Sequence, residues 1–364
     1  MDKKMSYEKW FKNCILILAG MLVLIAGIMI LFDPFFHYHR PIVKYRLTQN
    51  RYINDGISRN FDFDGVIIGT SMSQNFKTSQ MDALFGTKSV KLPYEGAGYE
   101  EISVCLDRTL SRNPGVKKVL WAMDYNGLLR VPDWSQYSGY PTYLYDDNPL
   151  NDAAYLFNKS IIYHALIPDL LMTVKGEDSM SMDDYSAWEA PTGAVQVYDG
   201  EIKTEKGTVI PITDAQRKNV TDTINDNFVK IAKKYPDTVF YVYLTPYSMY
   251  NWYRMWGDGT MNQYLEAQKI ATELMLECPN IKFYTFFEHS EIIENLDYYR
   301  DEAHYCAEIN EQILDWIAQD EGLVTKDNFS ERFDSQVEYY KNFDYKKWGR
   351  KVEKEWIRVI YKDE

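Results

Sequence analysis

The chain has 364 residues, 46% hydrophobic and 26% charged, enough to bury a large core in one or two domains. Its 53 acidic side chains against 40 basic ones leave a formal charge of −13, which excludes nucleic acid as a partner because phosphates demand a basic face. The four cysteines, Cys14, Cys105, Cys278 and Cys306, fall in no metal-type pairing, so isolated buried thiols are expected rather than a disulfide framework or a metal site.

After Lys12 the stretch NCILILAGMLVLIAGIMILF, residues 13–32, carries no charge. At about 1.5 Å per residue it spans a hydrocarbon core of roughly 30 Å, which predicts a transmembrane helix. Lys3, Lys4, Lys9 and Lys12 precede it, so the positive-inside tendency puts the N-terminus in the cytoplasm and the rest of the chain outside a single-pass anchor in the cell membrane. Arg40, Lys44 and Arg46 on the far side pull against that orientation. A cleaved signal peptide has a shorter apolar region ending in a small-x-small site, whereas this one ends in ILFDPFFHYH, which favours an uncleaved anchor. His37 and His39 have no third ligand nearby and read as part of an interfacial aromatic belt with Phe35, Phe36 and Tyr38. Residues 1–40 thus form a cytoplasmic start, an anchor and a juxtamembrane segment.

From Phe61 onward short β-rich runs alternate with helical patterns, which predicts a three-layer α/β/α domain over residues 41–325 with a five-stranded, parallel, doubly wound sheet. The strands are residues 64–69, 88–94, 117–124, 238–246 and 281–287. Apolar positions at helical spacing predict helices over Glu100 to Leu110, around Val220 to Ile231, over Leu265 to Glu277 and over Ala307 to Ile317. Residues 127–214 break the rhythm with a run of Tyr, Trp, Pro and Asp, and read as an insertion or lid between the third and fourth strands, with its helical part over 151–171. Residues 326–364 form a basic, aromatic tail: a C-terminal helix docked on the body, or a segment lying against anionic headgroups.

The sequence FDGVIIGTSMSQNF, residues 63–76, runs a strand into a small-residue turn with Ser71 at the bend. In a doubly wound sheet that bend lies in the crevice beyond the carboxyl ends of the strands. A serine hydroxyl becomes a useful nucleophile when an imidazole takes its proton and a carboxylate fixes the imidazole. Of the five histidines, His304 alone has an Asp three residues earlier, in RDEAHY, which makes Asp301 the candidate partner. Such a D-x-x-H is common by chance, but its loop follows the fifth strand and returns to the edge that carries Ser71. The bland alternative is that Ser71 caps the next helix. His164 and His289 read as structural, and the pairs Asp146/Asp147 and Asp183/Asp184 as solvent-facing acids. Trp134, Tyr137 and Tyr143, with Tyr140 and Trp188, are candidates to stack on sugar rings, though about half of these aromatics are expected to pack the insertion.

IIGTSMS and DEAHY resemble the first and last sequence blocks of the SGNH, or GDSL-like, hydrolase and acyltransferase superfamily, over roughly Phe61 to Ile317 with the insertion outside. Thr70 stands where many members have Asp. The resemblance implies a flavodoxin-like fold, Ser71 as nucleophile, His304 as general base and Asp301 as its orienting partner. It also implies an oxyanion hole from the amides of Ser71 and a glycine of YEGAGYEE, either Gly96 or, nearer the helix start, Gly98, together with Asn126 of MDYNGLL; this last motif departs from the family's G-x-N-D form. The anchor followed by such a domain is similar to envelope-decoration proteins, such as the teichoic-acid D-alanylation protein and the partners of membrane-bound O-acyltransferases. The resemblance therefore implies cofactor-free acyl-ester hydrolysis or O-acyl transfer on an envelope polysaccharide or teichoic-acid-like polymer, with a membrane-bound O-acyltransferase as a partner. The alternative is a catalytically inactive assembly or binding protein on the same fold.

Overall fold

The computed structural model describes residues 7–136, 141–201 and 205–360. Its centre is a six-stranded sheet with strands β1 (Gly65–Gly69), β2 (Ser89–Pro93), β3 (Lys118–Met123), β4 (Val239–Leu244), β5 (Ile281–Tyr284) and β6 (Leu323–Val324), in the order β2-β1-β3-β4-β5-β6. β1 to β5 are parallel and β6 pairs antiparallel with β5. Helices joining parallel strands cover both faces of the sheet, so its strands are mostly apolar: Val66, Ile67 and Ile68 of β1 are fully buried. The expected five-stranded, all-parallel sheet is thus corrected to six strands. The five expected strands all occur, each shorter than expected, while β6 has two residues and hence no periodicity to betray it.

The helices that return the chain between strands include Thr78–Phe85, Tyr99–Arg112, a continuous run over 214–234, Met261–Met275 and Ala307–Ala318. The helix over 214–234 starts with a capping box, Thr213 accepting from the Gln216 amide while the Gln216 side chain accepts from Thr213, and carries a π-turn at Asn225–Val229. Strand order reverses beside β1, which has β2 on one side and β3 on the other. The loops after β1 and β3 therefore border the crevice where ligands bind in such sheets.

The described chain divides into two compact units. One holds residues 7–61 and 141–181; the other holds 62–136, 182–201 and 205–360. The segment 127–214 is accordingly split, its helical middle packing with the N-terminal residues and its flanks staying with the sheet. In the first unit the helix Tyr7–Phe32 is long and apolar enough to cross a membrane. It ends in a knot on Asp33, a fully buried carboxylate that accepts the backbone N–H groups of His37 at 3.0 Å, Tyr38 at 2.6 Å and His39 at 3.0 Å and the Tyr155 hydroxyl at 2.7 Å. Phe35 and Phe36 are buried by this turn rather than set in an interfacial belt. Gly56 lets the turn close, since a Cβ there would lie 1.9 Å from the Phe35 carbonyl oxygen.

In the second unit the tail forms helices Phe329–Asn342 and Tyr345–Ile360 that dock on the sheet domain. Tyr340 stacks on Trp252 with ring centroids 3.7 Å apart, and Trp348 donates its indole N–H to the Glu294 carbonyl at 3.1 Å. All four cysteines are free thiols, Cys105 and Cys278 buried. Asp183 is half-buried and caps the helix Thr78–Phe85, accepting the Ser79 amide at 3.0 Å and the hydroxyls of Thr78 and Ser79 at 2.8 and 2.5 Å. Lys91 on β2 is fully buried and donates to the carbonyls of Gln74 at 2.5 Å, Phe76 at 2.9 Å and Asp183 at 3.0 Å. It fastens the segment leaving Ser71 to the segment that carries Trp188.

Burial pushes the Lys91 ammonium from 10.5 down to about 7, against the upward pull of the Asp183 and Asp184 carboxylates. Because the folded value lies below the unfolded one, the unfolded chain binds more protons across that window, and Lys91's contribution to stability rises with pH from about 7 to 10.5. Lys91→Met leaves three carbonyls without a donor and is expected to cost about 1–3 kcal/mol. Urea unfolding is also expected to show a smaller gain in midpoint between pH 7 and 9 for the variant than for wild type; equal gains would show that Lys91 does not titrate there.

Candidate functional site

β1 ends at Gly69, and the chain turns at once into a 3-10 turn, Ser71–Ser73. Thr70 sets the turn: its hydroxyl accepts the Met72 amide at 3.3 Å, and its carbonyl accepts the Ser73 hydroxyl at 2.7 Å. Asn310, from the helix Ala307–Ala318, holds the turn from outside by donating to the Met72 carbonyl at 3.1 Å. Ser71 is left half-buried at the carboxyl edge of the sheet.

The loop after β5 reaches the same edge. It is closed by a bridge between Tyr299 and Tyr305 and by the Arg300 amide donating to the His304 carbonyl at 2.9 Å. Inside it Asp301 accepts the amides of Ala303 at 2.9 Å and His304 at 2.8 Å, so its carboxylate is fixed before it meets a side chain. His304 Nδ1 lies 2.8 Å from Asp301 Oδ2 and 3.0 Å from Oδ1, and His304 Nε2 lies 2.7 Å from Ser71 Oγ. An ionised carboxylate only accepts, so the ring proton belongs on Nδ1 and Nε2 is free to accept from the serine. Trp188 packs edge-on against the imidazole with centroids 5.9 Å apart.

Burial opposes protonation of His304, but the hydrogen bond and charge of Asp301 and the charge of Asp124 outweigh it, and the pKa is raised above 6.5. Burial likewise pushes Asp301 up, yet the His304 ring and the two loop amides bring it below the ordinary 3.8. The two shifts have one cause, a carboxylate and an imidazole that stabilise each other's charged forms.

Ser71 and His304 line a cavity of about 170 Å³ together with Gly98, Asn126, Arg130 and Trp134. The Ser71 amide opens the 3-10 turn and the Gly98 amide precedes the first turn of Tyr99–Arg112, positions whose N–H groups have no acceptor within their own helix. Gly98 is required by close approach: a Cβ would stand 1.6 Å from the Trp134 carbonyl oxygen. Gly96, at φ +63°, shapes the turn before it and lines the same cavity. Asn126 also lines the cavity, but its Nδ2 donates to Asn251 Oδ1 at 3.3 Å, which engages part of its donor capacity. Trp134 carries the Arg130 guanidinium 3.6 Å above its ring. Tyr143 belongs to the first unit and is half-buried beside Tyr52 and Asn158. Tyr137 lies outside the described residues.

One carboxylate in the cavity escaped sequence reasoning. Asp124, at the carboxyl end of β3, accepts the Thr70 hydroxyl in a short contact and the Tyr247 hydroxyl at 2.6 Å, while its carbonyl accepts the Tyr99 hydroxyl at 2.5 Å. Burial raises its pKa against the pull of Thr70, Tyr247 and His304. Its signal was present, since it closes the third predicted strand at the edge that Ser71 occupies. Arg130 and Tyr247 carried no such signal.

Among the described residues no group of three or more His, Cys, Asp or Glu side chains could hold a metal ion. No protein-family model matches the chain, and no match is found among curated proteins or solved structures. The geometry therefore stands on its own. In an NMR titration, Asp301→Asn is expected to lower the His304 pKa from its raised value, because the charge and the strong acceptor are both removed; an unchanged titration would mean that the contact with Asp301 does not govern the imidazole.

Proposed function

We propose that this chain is a serine-dependent acyl-ester hydrolase or O-acyltransferase of the SGNH type, with a flavodoxin-like catalytic domain outside the cell membrane and residues 13–32 as its anchor. The observation that carries the reading is the Ser71–His304–Asp301 relay opening into a cavity lined by Gly98, Asn126 and Trp134. In the reaction Ser71 Oγ attacks the ester carbonyl as His304 Nε2 takes its proton, and Asp301 steadies the imidazolium. The amides of Ser71 and Gly98, with the remaining donor of Asn126, face the oxyanion that forms. The bond to the leaving alcohol then breaks as His304 returns the proton to that oxygen, leaving an acyl-serine. Water or a second hydroxyl, deprotonated by His304, attacks the acyl carbon and releases Ser71; water makes the protein an esterase and a sugar hydroxyl makes it a transferase.

The acceptor class we propose is an envelope glycan or teichoic-acid-like polymer, with Trp134 offering a ring face at the cavity and a membrane-bound O-acyltransferase as partner. An aromatic flanked by an arginine suits a sugar that carries an anionic neighbour. The step calls on side chains and backbone amides alone.

The full-length chain in detergent is expected to react with a serine-directed fluorophosphonate and to hydrolyse p-nitrophenyl acetate. Ser71→Ala abolishes the labelling, and Ser71→Ala and His304→Ala each cost about 10⁴- to 10⁶-fold in turnover. His304 must be neutral to accept the proton, so activity falls as pH drops through its raised pKa. Absence of labelling in well-folded wild type would favour a non-catalytic assembly or polysaccharide-binding protein that retains the sheet.

A further inference from the structure

Within the first unit the chain from residue 159 to 175 is one helix, built from Lys159–Ile161, a π-turn over Ile162–Leu166 and Ile167–Lys175. Between its terminal lysines the charge-bearing side chains are His164 and Asp169. One face carries Ile161, Ala165, Leu166 and Asp169 and is buried, with Asp169 accepting the Arg46 amide at 3.1 Å. The other face is largely apolar, with Ser160 and His164 also exposed on it. Tyr163, Ile167, Leu171 and Val174 follow at helical spacing as one stripe and are 65%, 38%, 53% and 85% exposed. A helix apolar on both sides is a poor fit to water.

Its surroundings point to what covers the stripe. The helix Tyr7–Phe32, long and apolar enough to cross a membrane and read above as the anchor, packs against Ala153–Leu156 and against the π-turn of this helix. The link continues through the Asp33 knot: Tyr155 donates to Asp33, and the Phe35 amide donates back to the Tyr155 hydroxyl at 3.2 Å. The chain just beyond, residues 44–46, runs along the helix, with the Lys44 amide donating to Thr173 at 2.9 Å and Arg46 Nη2 to the His164 carbonyl at 3.2 Å. The exposed stripe is thus tied to the point where the anchor ends. Lys159 and Lys175, both exposed, bracket it, with the Lys175 ammonium 3.6 Å from Glu177; such side chains bury their aliphatic stems at an interface and keep the charge in water.

We propose that the helix over 159–175 lies in the interfacial plane of the bilayer that the anchor crosses, with Tyr163, Ile167, Leu171 and Val174 sunk into the headgroup–acyl boundary. Interfacial helices immerse by about 5–10 Å. The occupant is lipid rather than a protein partner, because the helix that carries the stripe packs directly on the apolar helix Tyr7–Phe32 that we read as the anchor. Leu171 and Val174 face acyl chains; Tyr163 keeps its hydroxyl at the ester level. The first unit then rests on the membrane as a collar instead of swinging on a single helix.

The test uses the full chain in phosphatidylethanolamine–phosphatidylglycerol vesicles, with nitroxide labels on Leu171→Cys, Val174→Cys and the control Glu273→Cys, in a Cys14→Ser, Cys306→Ser background. Collision with oxygen and with a water-soluble nickel chelate is read at each site by electron paramagnetic resonance. The expected result is a severalfold higher oxygen-to-nickel ratio at 171 and 174 than at 273. Free collision with nickel would place the stripe in water, and protection from both reagents would place it under protein; either result overturns the assignment. Circular dichroism matching that of wild type shows that each labelled chain is folded.

Discussion

The contact between the Asp301 carboxylate and His304 Nδ1 is the constraint on which the site depends. It selects the ring tautomer, and the tautomer decides whether Nε2 can accept from Ser71. Asp301 is already bound to two amides of its own loop, so the carboxylate arrives in place and the imidazole follows. The serine comes from the other end of the domain, on a turn held by Thr70 and by Asn310 of the last sheet-covering helix. Two loops separated by more than half the chain therefore meet because the sheet presents both at one edge.

Beneath that relay lies a second polar layer. Asp124 gathers hydroxyls from Thr70 and Tyr247, so the carboxyl ends of β1, β3 and β4 are tied together beside Ser71. Burial raises the Asp124 pKa against the pull of Thr70, Tyr247 and His304, and the Asp124 charge in turn helps to raise that of His304. The loop after β1 is bound on its other flank by Lys91, which makes the turn rigid from two sides.

Much of this was legible in the residues. Strands buried on both faces read as continuous apolar runs, and GVIIG and KVLWAM announced themselves that way. Ser71, Asp301 and His304 could be singled out because each falls in a loop at a strand end, and the order of strands brings those loops together. What stayed hidden was what depends on packing. Nothing in FDPFFHYH says that Asp33 turns inward and draws Phe35 and Phe36 with it. The two-residue β6 has no period, and the split of the long insertion between two units is set by contacts with the N-terminal segment. Asn126 was inferred from motif likeness, and it lines the cavity, but its tie to Asn251 is visible only in three dimensions.

A row of unpaired strand amides invites a neighbouring chain to add itself, and long parallel sheets form slowly enough for that to happen. Here β2, at one rim, aims an amino group inward at Lys91, and at the other rim β6 stops after two residues running the opposite way. Both borders thus carry features that disfavour the addition of a neighbouring strand, independent of whatever chemistry the central crevice performs.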